Sequence, residues 1–168
     1  LTGWAFHDRR ILQRMLLDSQ AIAQKKEGTR LLASGFIHAD WIHFAFNMFS
    51  FYSFAKSIEW TYGILPLATI YLGSIAASGL FAILVNRNKH YRALGASGGV
   101  CGVIFASIFL LPGGSMFIFP IPFPIPAWAF ALIFIGVSIF GIGRSGNISH
   151  EAHIGGALAG MGITVALY

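Results

Sequence analysis

Residues 64–85 read ILPLATIYLGSIAASGLFAILV, a run with no charged side chain. A helix needs about 20 predominantly apolar residues to cross ~30 Å of hydrocarbon at 1.5 Å per residue, so this stretch predicts a transmembrane helix. Four more apolar runs flank it: Trp41 to Ile58, with Lys56 as its one full charge, Gly95 to Leu111, Ala127 to Ile142 and Ile154 to Tyr168. The five runs are about 15 to 22 residues long, the shorter ones recruiting flanking residues to complete a crossing. No alternating ten-residue pattern of a barrel is present, and an open sheet edge is not tolerated in lipid. The expected fold is all-α, a multi-pass transmembrane helical bundle.

Composition agrees. The chain has 168 residues, roughly one domain by length. It is 56% hydrophobic and only 10% charged, against about 25% charged in an average soluble domain, and its mean hydropathy is +0.71. Those values exclude a disordered chain, a collagen, a disulfide-stapled module and a soluble coiled coil. The single cysteine, Cys101, has no partner for an internal disulfide. Twenty glycines suit transmembrane helices that pack closely through small residues.

The net charge of +5 raises the question of nucleic acid. Of eleven Lys and Arg, six precede the first apolar run (Arg9, Arg10, Arg14, Lys25, Lys26 and Arg30), interspersed with Asp8, Asp18 and Glu27. No basic stripe with interleaved aromatics follows, so no nucleic-acid partner is expected, and the segment reads as solvated or facing lipid headgroups. Ile11, Met15 and Ile22 share one helical face, with Leu12, Leu16 and Leu17 beside it, which predicts an amphipathic helix on the membrane surface. Residues 1–40 are thus expected to form a surface segment and 41–168 the transmembrane core. Between two of the spans, Met116 to Pro126 reads MFIFPIPFPIP, whose prolines remove backbone donors and predict an apolar interfacial loop.

Polar residues within apolar spans are costly and point to function. His43 and Asn47 stand four apart in SGFIHADWIHFAFN, after His38, and on a helix they present a ring N–H and an amide to one point. Each also has the plainer use of bonding a neighbouring helix. Ser97, in Gly95-Ala96-Ser97-Gly98-Gly99, heads an uncharged run where unpaired N–H groups favour a developing anion. Its G-x-S-x-G string lacks the strand and large sheet of a soluble hydrolase elbow, and Gly98 with Gly102 equally makes a packing face. Gly156 and Gly160 give the last span the same spacing, on the helix that carries His153. Helices bearing Ser97 and His153 are therefore expected to cross with close backbones, as an imidazole must to activate a serine. His43, Asn47 and the Ser97 backbone N–H would then serve a tetrahedral oxyanion.

Together these residues resemble the rhomboid intramembrane serine proteases. The likeness rests on three motifs in order, H-x(4)-H-x(3)-N at His38, His43 and Asn47, G-x-S-G at Gly95 to Gly98, and A-H-x-x-G at Ala152 to Gly156. Glu59 and Gly63 also match the family's Glu-x-x-x-Gly. The resemblance implies a Ser97–His153 dyad without a third carboxylate, oxyanion binding by His43, Asn47 and the Ser97 backbone, and support of the preceding loop by His38. It implies that the helix 127–142 acts as a lateral gate and that substrates are transmembrane proteins with small residues and an unstable helix near the cut. No metal or organic cofactor is implied, and no oligomeric state is specified.

This chain departs from the family in several places. Members usually carry a helix before the first loop, so five spans are visible where six are expected, and trimming at Leu1 is the expectation. Thr29-Arg30 stands for a frequent Trp-Arg pair. Cys101 stands where many members have an aromatic that stacks on the catalytic histidine. Glu151, beside Ala152, is expected to point away from His153. Asn147, Ser149 and His150, with His38 and His43, are expected to line a wet cavity.

Orientation sets two rules against each other. Alternating spans put ten of the eleven Lys and Arg on the face of residues 1–40, Arg87, Lys89, Arg92 and Arg144 included. The positive-inside rule assigns that face to the cytoplasm, whereas the family's site opens away from it. The family orientation, in a bacterial inner membrane, is the expectation adopted. Two other classes define the contrast: a metal hydrolase built on His38, His43 and His153, which lacks H-E-x-x-H, and a rhomboid-like pseudoprotease that binds membrane clients without cleaving them.

Overall fold

The computed structural model describes residues 1–117, 122–142 and 149–168. Its described residues are α-helical apart from two minimal strand pairs and short connections. Five long helices coincide with the five apolar runs: α5 (Trp41–Tyr62), α6 (Ile64–Val85), α7 (Ser97–Leu110), α8 (Ala127–Gly141) and α9 (His150–Leu167). By length and composition together, among the described residues only α6 is long and apolar enough to cross a membrane, with α7 and α8 apolar but shorter.

The surface segment is not the single amphipathic helix its periodicity suggests. It breaks into α1 (Thr2–His7), α2 (Arg9–Met15), α3 (Ser19–Lys25) and α4 (Arg30–Ala33). The breaks have local causes. Asp8 leaves helical geometry and caps α2 by accepting from the Arg10 N–H, and Asp18 caps α3 by accepting from Gln20 and Ala21. Leu17 and Asp18, as β1, pair antiparallel with β2 (Arg92–Ala93). Lys26 ends α3 in the left-handed conformation, φ 58°. Arg30 then ties the pieces together: its guanidinium donates to the carbonyls of Gln13 and Leu16 at 2.6 and 2.9 Å and pairs with Glu27.

At the C-terminal end of α5, Gly63 reverses the chain at φ 90°, its N–H donating to the Glu59 carbonyl at 2.8 Å, so α6 begins at once. That is the structural content of the Glu-x-x-x-Gly spacing. The proline-rich connection holds a second strand pair, β3 (Ser115–Met116) with β4 (Ile125–Pro126), framing the expected loop.

The core is the mutual packing of α6, α7 and α9. Helix α7 is central, buried at every position from Gly98 to Ser107, which is why its apolar residues run all round rather than along one stripe. Small residues set the spacing. A Cβ at Gly102 would lie 3.0 Å from the Gly156 carbonyl and also strike Ser74 of α6. Cβ atoms at Gly156 and Gly160 would run into the backbones of Gly98 and Gly102. The α7–α9 crossing is thus backbone on backbone, at the two glycine pairs whose spacing predicts it.

Candidate active site

The crossing brings the first turns of α7 and α9 to one cavity of about 800 Å³. Ser97, the first residue of α7, lines it with His153, and α5 contributes His43 and Asn47. All four proposed chemical residues therefore face one space, together with Tyr91, Ser149 and Glu151. Among the described residues no hydrogen bond joins Ser97 to His153. Both side chains line the same cavity, and catalytic hydrogen bonds are often long before substrate arrives.

Helix α7 starts at Ala96 without a side-chain cap. The first-turn N–H groups of a helix have no intrahelical acceptor, so an uncapped start leaves donors beside the serine for an anion. The turn before it is held firmly. Gly95 sits at φ 120°, a conformation that favours glycine, and its N–H donates to the Ser34 carbonyl at 2.9 Å. A Cβ there would also come within 2.7 Å of the His43 ring. Glycine at position 95 therefore serves both the backbone and the approach of His43.

His38 is the post behind this turn. Its Nε2 accepts from the Ala96 N–H at 3.4 Å, and its Nδ1 lies 3.0 Å from the Thr2 hydroxyl. Thr2 Oγ1 in turn donates to the Phe36 carbonyl at 3.1 Å. With Nε2 accepting, the proton belongs on Nδ1, facing Thr2, an assignment that follows from the network. The ring is buried, and burial with the nearby His43 pushes its pKa down to about 4, so it stays neutral. His38 does not line the cavity; it supports the residues that do.

On α5, Asp40 caps the helix through the His43 N–H at 2.7 Å, and His38 meets His43 edge to face, ring centres 5.2 Å apart. Asn47 is buried, with one amide N–H on the His43 carbonyl at 2.9 Å, leaving its second N–H for another acceptor. Among the described residues no three of His, Cys, Asp and Glu gather as metal ligands.

With Cys101 at the position where many family members have an aromatic, a ring reaches His153 from elsewhere. Phe134 of α8 stacks on His153, centroids 6.0 Å apart and planes 27° from parallel. Cys101 is buried in the same cluster, so a small side chain there leaves room for a ring from the next helix. No sequence signal marks Phe134 among the many aromatics of its span. The rest of the wet lining is mixed. Ser149 and His43 line the cavity, whereas His150 packs against Gly141 and keeps a buried Nδ1 without a partner among the described residues. Asn147 lies outside the described residues. Glu151 is buried on the cavity wall, and Asn86, just past α6, donates to its carboxylate at 3.4 Å. A further link escapes the sequence: the Tyr91 hydroxyl bonds Ser149 Oγ, which caps α9 by accepting from the Ala152 N–H at 3.3 Å.

The chain is similar to known proteins over most of its length. The Rhomboid domain family model matches residues 25–168. Rhomboid protein 1, mitochondrial, of Saccharomyces cerevisiae is 28% identical over 159 residues, 90% of this chain and 45% of the yeast protein. RHOMBOID-like protein 12, mitochondrial, of Arabidopsis thaliana is 30% identical over 144 residues, 76% of this chain and 43% of its own length. RHOMBOID-like protein 5 of Arabidopsis thaliana is 24% identical over 139 residues, 83% of this chain and 44% of its own. The chain thus spans less than half the length of these curated relatives. Two of them are named as mitochondrial, which gives no support to the bacterial inner membrane expected from the sequence. With the family model covering nearly all of it from residue 25 onward, the chain belongs to the membrane-embedded rhomboid family.

Proposed function

We propose that the chain is an intramembrane serine endopeptidase acting on transmembrane protein substrates, with Ser97 as nucleophile and His153 as general base. The observation that carries this reading is the glycine crossing of α7 and α9, which puts Ser97 and His153 on one cavity. Ser97 Oγ attacks the peptide carbonyl while His153 takes its proton. The tetrahedral oxyanion is met by the Ser97 backbone N–H and by His43 and Asn47. The intermediate collapses as His153 returns the proton to the leaving amine, and water, activated by the same histidine, hydrolyses the acyl-enzyme.

Five crossings suit the surface of the bundle. Large apolar side chains face outward on α5, α6, α8 and α9, among them Phe49, Leu65, Leu132, Phe140 and Val165. A soluble monomer rarely presents so continuous an apolar belt. Helix α7 has 14 residues, about 21 Å, and so falls about 9 Å short of a 30 Å hydrocarbon core. Ser97, at its first residue, then lies below the membrane surface, reached by water through the polar wall of the cavity. Residues 1–40 form the surface segment of that arrangement and 41–168 the core. Helix α8 is the lateral gate in this reading. Because Phe134 lies on it, an outward step of α8 also removes the ring that stacks on the base.

Fluorophosphonate labelling in detergent, read by intact mass, tests the proposal. A single adduct on the wild type, absent from Ser97→Ala and His153→Ala while both keep the wild-type melting temperature, is the expected result. Failure of the folded wild type to label, together with failure to cleave a panel of transmembrane peptides, would instead identify a client-binding pseudoprotease.

A further inference from the structure

Away from the catalytic cavity, the surface segment folds around a second hollow of about 370 Å³. Its wall carries five cationic side chains, Arg10, Arg14, Lys25, Arg30 and Arg92, and one carboxylate, Asp18. The negative charge is already committed. Asp18 accepts from His90 Nε2 at 3.0 Å and from two backbone N–H groups at 3.0 Å, and it lies 3.5 Å from Arg92 Nε. Against the opposing effect of burial, those hydrogen bonds hold its carboxyl below the usual carboxylate range. Arg30 is spent on Glu27 and two carbonyls. Arg10, Arg14 and Lys25 have no carboxylate partner among the described residues, yet converge on one concave surface. Three like charges held together in this way raise the local potential and favour an anion between them.

The same segment exposes Leu1, Trp4, Leu32 and Phe36. An anion with an apolar tail suits a segment that carries both features, its phosphate in the hollow and its acyl chains in the bilayer on which the segment rests. We propose that Arg10, Arg14 and Lys25, with Arg92 behind them, form a headgroup site for an anionic phospholipid. A nucleic acid would need a longer basic track than one hollow of headgroup size, and free phosphate would leave the apolar side chains unused.

The test uses the whole chain in neutral detergent, titrated separately with short-chain phosphatidylglycerol, short-chain phosphatidylcholine and inorganic phosphate. Melting temperature and tryptophan fluorescence are both recorded. The expected result is saturable binding of phosphatidylglycerol that raises the melting temperature, with much weaker binding of the other two. Juxtamembrane cations contribute about fivefold each, so Arg10→Gln, Arg14→Gln and Lys25→Gln combined should weaken binding on the order of 100-fold, and Arg10→Gln alone about fivefold. Lys56→Gln, whose ammonium lies over Trp60 on α5, should leave the affinity unchanged. The single variant keeps the test decisive should the triple variant melt early. Equal binding of phosphatidylglycerol and phosphatidylcholine, phosphate binding as tightly as the lipid, or wild-type affinity in the triple variant would each overturn the assignment.

Discussion

A methyl group added at Gly156 tests the crossing that organises the site. Its Cβ would sit 2.7 Å from the carbonyl carbon of Gly98 and 2.9 Å from its Cα, where ordinary contact begins at 3.4 Å. No rotamer change relieves this, because the opposing atoms are backbone, and the Gly98 carbonyl oxygen lies nearer still, so the two helices must separate by well over 0.7 Å there. Overpacking of this kind costs about 1–3 kcal/mol, offset by about 1 kcal/mol for replacing glycine within a helix. Gly156→Ala is therefore expected to lose up to about 2 kcal/mol. Activity should suffer more. Gly98 follows Ser97 and Gly156 lies one turn beyond His153, so the separation opens the dyad itself. A misplacement near 1 Å costs on the order of 100-fold, which predicts fluorophosphonate labelling slowed roughly 10- to 100-fold at a melting temperature only a few degrees lower. Gly162→Ala is the matched control on the same helix, since a Cβ there meets nothing within 4 Å. It should label at the wild-type rate and gain about 0.5–1 kcal/mol. If Gly156→Ala labels and melts like Gly162→Ala, the backbone crossing is not what positions the dyad.

Phe134→Leu should slow labelling about 2- to 10-fold, the worth of an aromatic pair, while Phe134→Tyr keeps the wild-type rate; equal rates in all three proteins would remove the stack from the mechanism. His38 supplies a pH signature. Its folded pKa, near 4, lies below the ordinary 6.5, so the unfolded chain binds a proton that the fold excludes, and stability is lost as pH falls from 6.5 towards 4, by at most about 3 kcal/mol. Thermal melts across that range should fall less steeply for His38→Gln than for wild type, and parallel slopes would contradict the network. Ser149→Ala deletes the α9 cap and the Tyr91 partner together and should cost about 0.5–2 kcal/mol; an unchanged melting temperature would show that neither bond matters.

The parts of this molecule legible in the sequence are those written by spacing. Two four-residue glycine intervals predict the α7–α9 crossing, and apolar runs predict all five long helices, because both patterns register contacts made by the residues themselves. The surface segment misleads for the opposite reason. Its apolar spacing suits one helix, but Asp8 and Asp18 bond backbone N–H groups and restart the chain twice, and the ladder with β2 depends on a partner strand more than seventy residues away. Asp18 ahead of Ser19 and Gln20 is a capping signal carried by the sequence. Phe134 and the Tyr91–Ser149 link carried no such signal. In an aromatic-rich span, a phenylalanine facing lipid and one facing a histidine look the same until the neighbouring helix is in place.

The glycines that close the α7–α9 crossing also constrain what can replace the missing aromatic. With α7 pressed against α6 on one side and α9 on the other, Cys101 is buried on the cavity wall, and a large ring there would have to displace its packed neighbours or intrude on the cavity that holds His153. The stack on His153 is then left to α8, the helix whose other faces present Trp128, Leu132, Ile133 and Phe140 outward. The ring beside His153 thus comes from a helix bound along a single face rather than from the enclosed α7. Orientation of His153 consequently depends on where α8 stands. A Cys101→Phe change should lower the melting temperature through overpacking, and it should not rescue Phe134→Leu. Rescue at full stability would mean that the enclosure around position 101 is looser than the packing of α6, α7 and α9 requires.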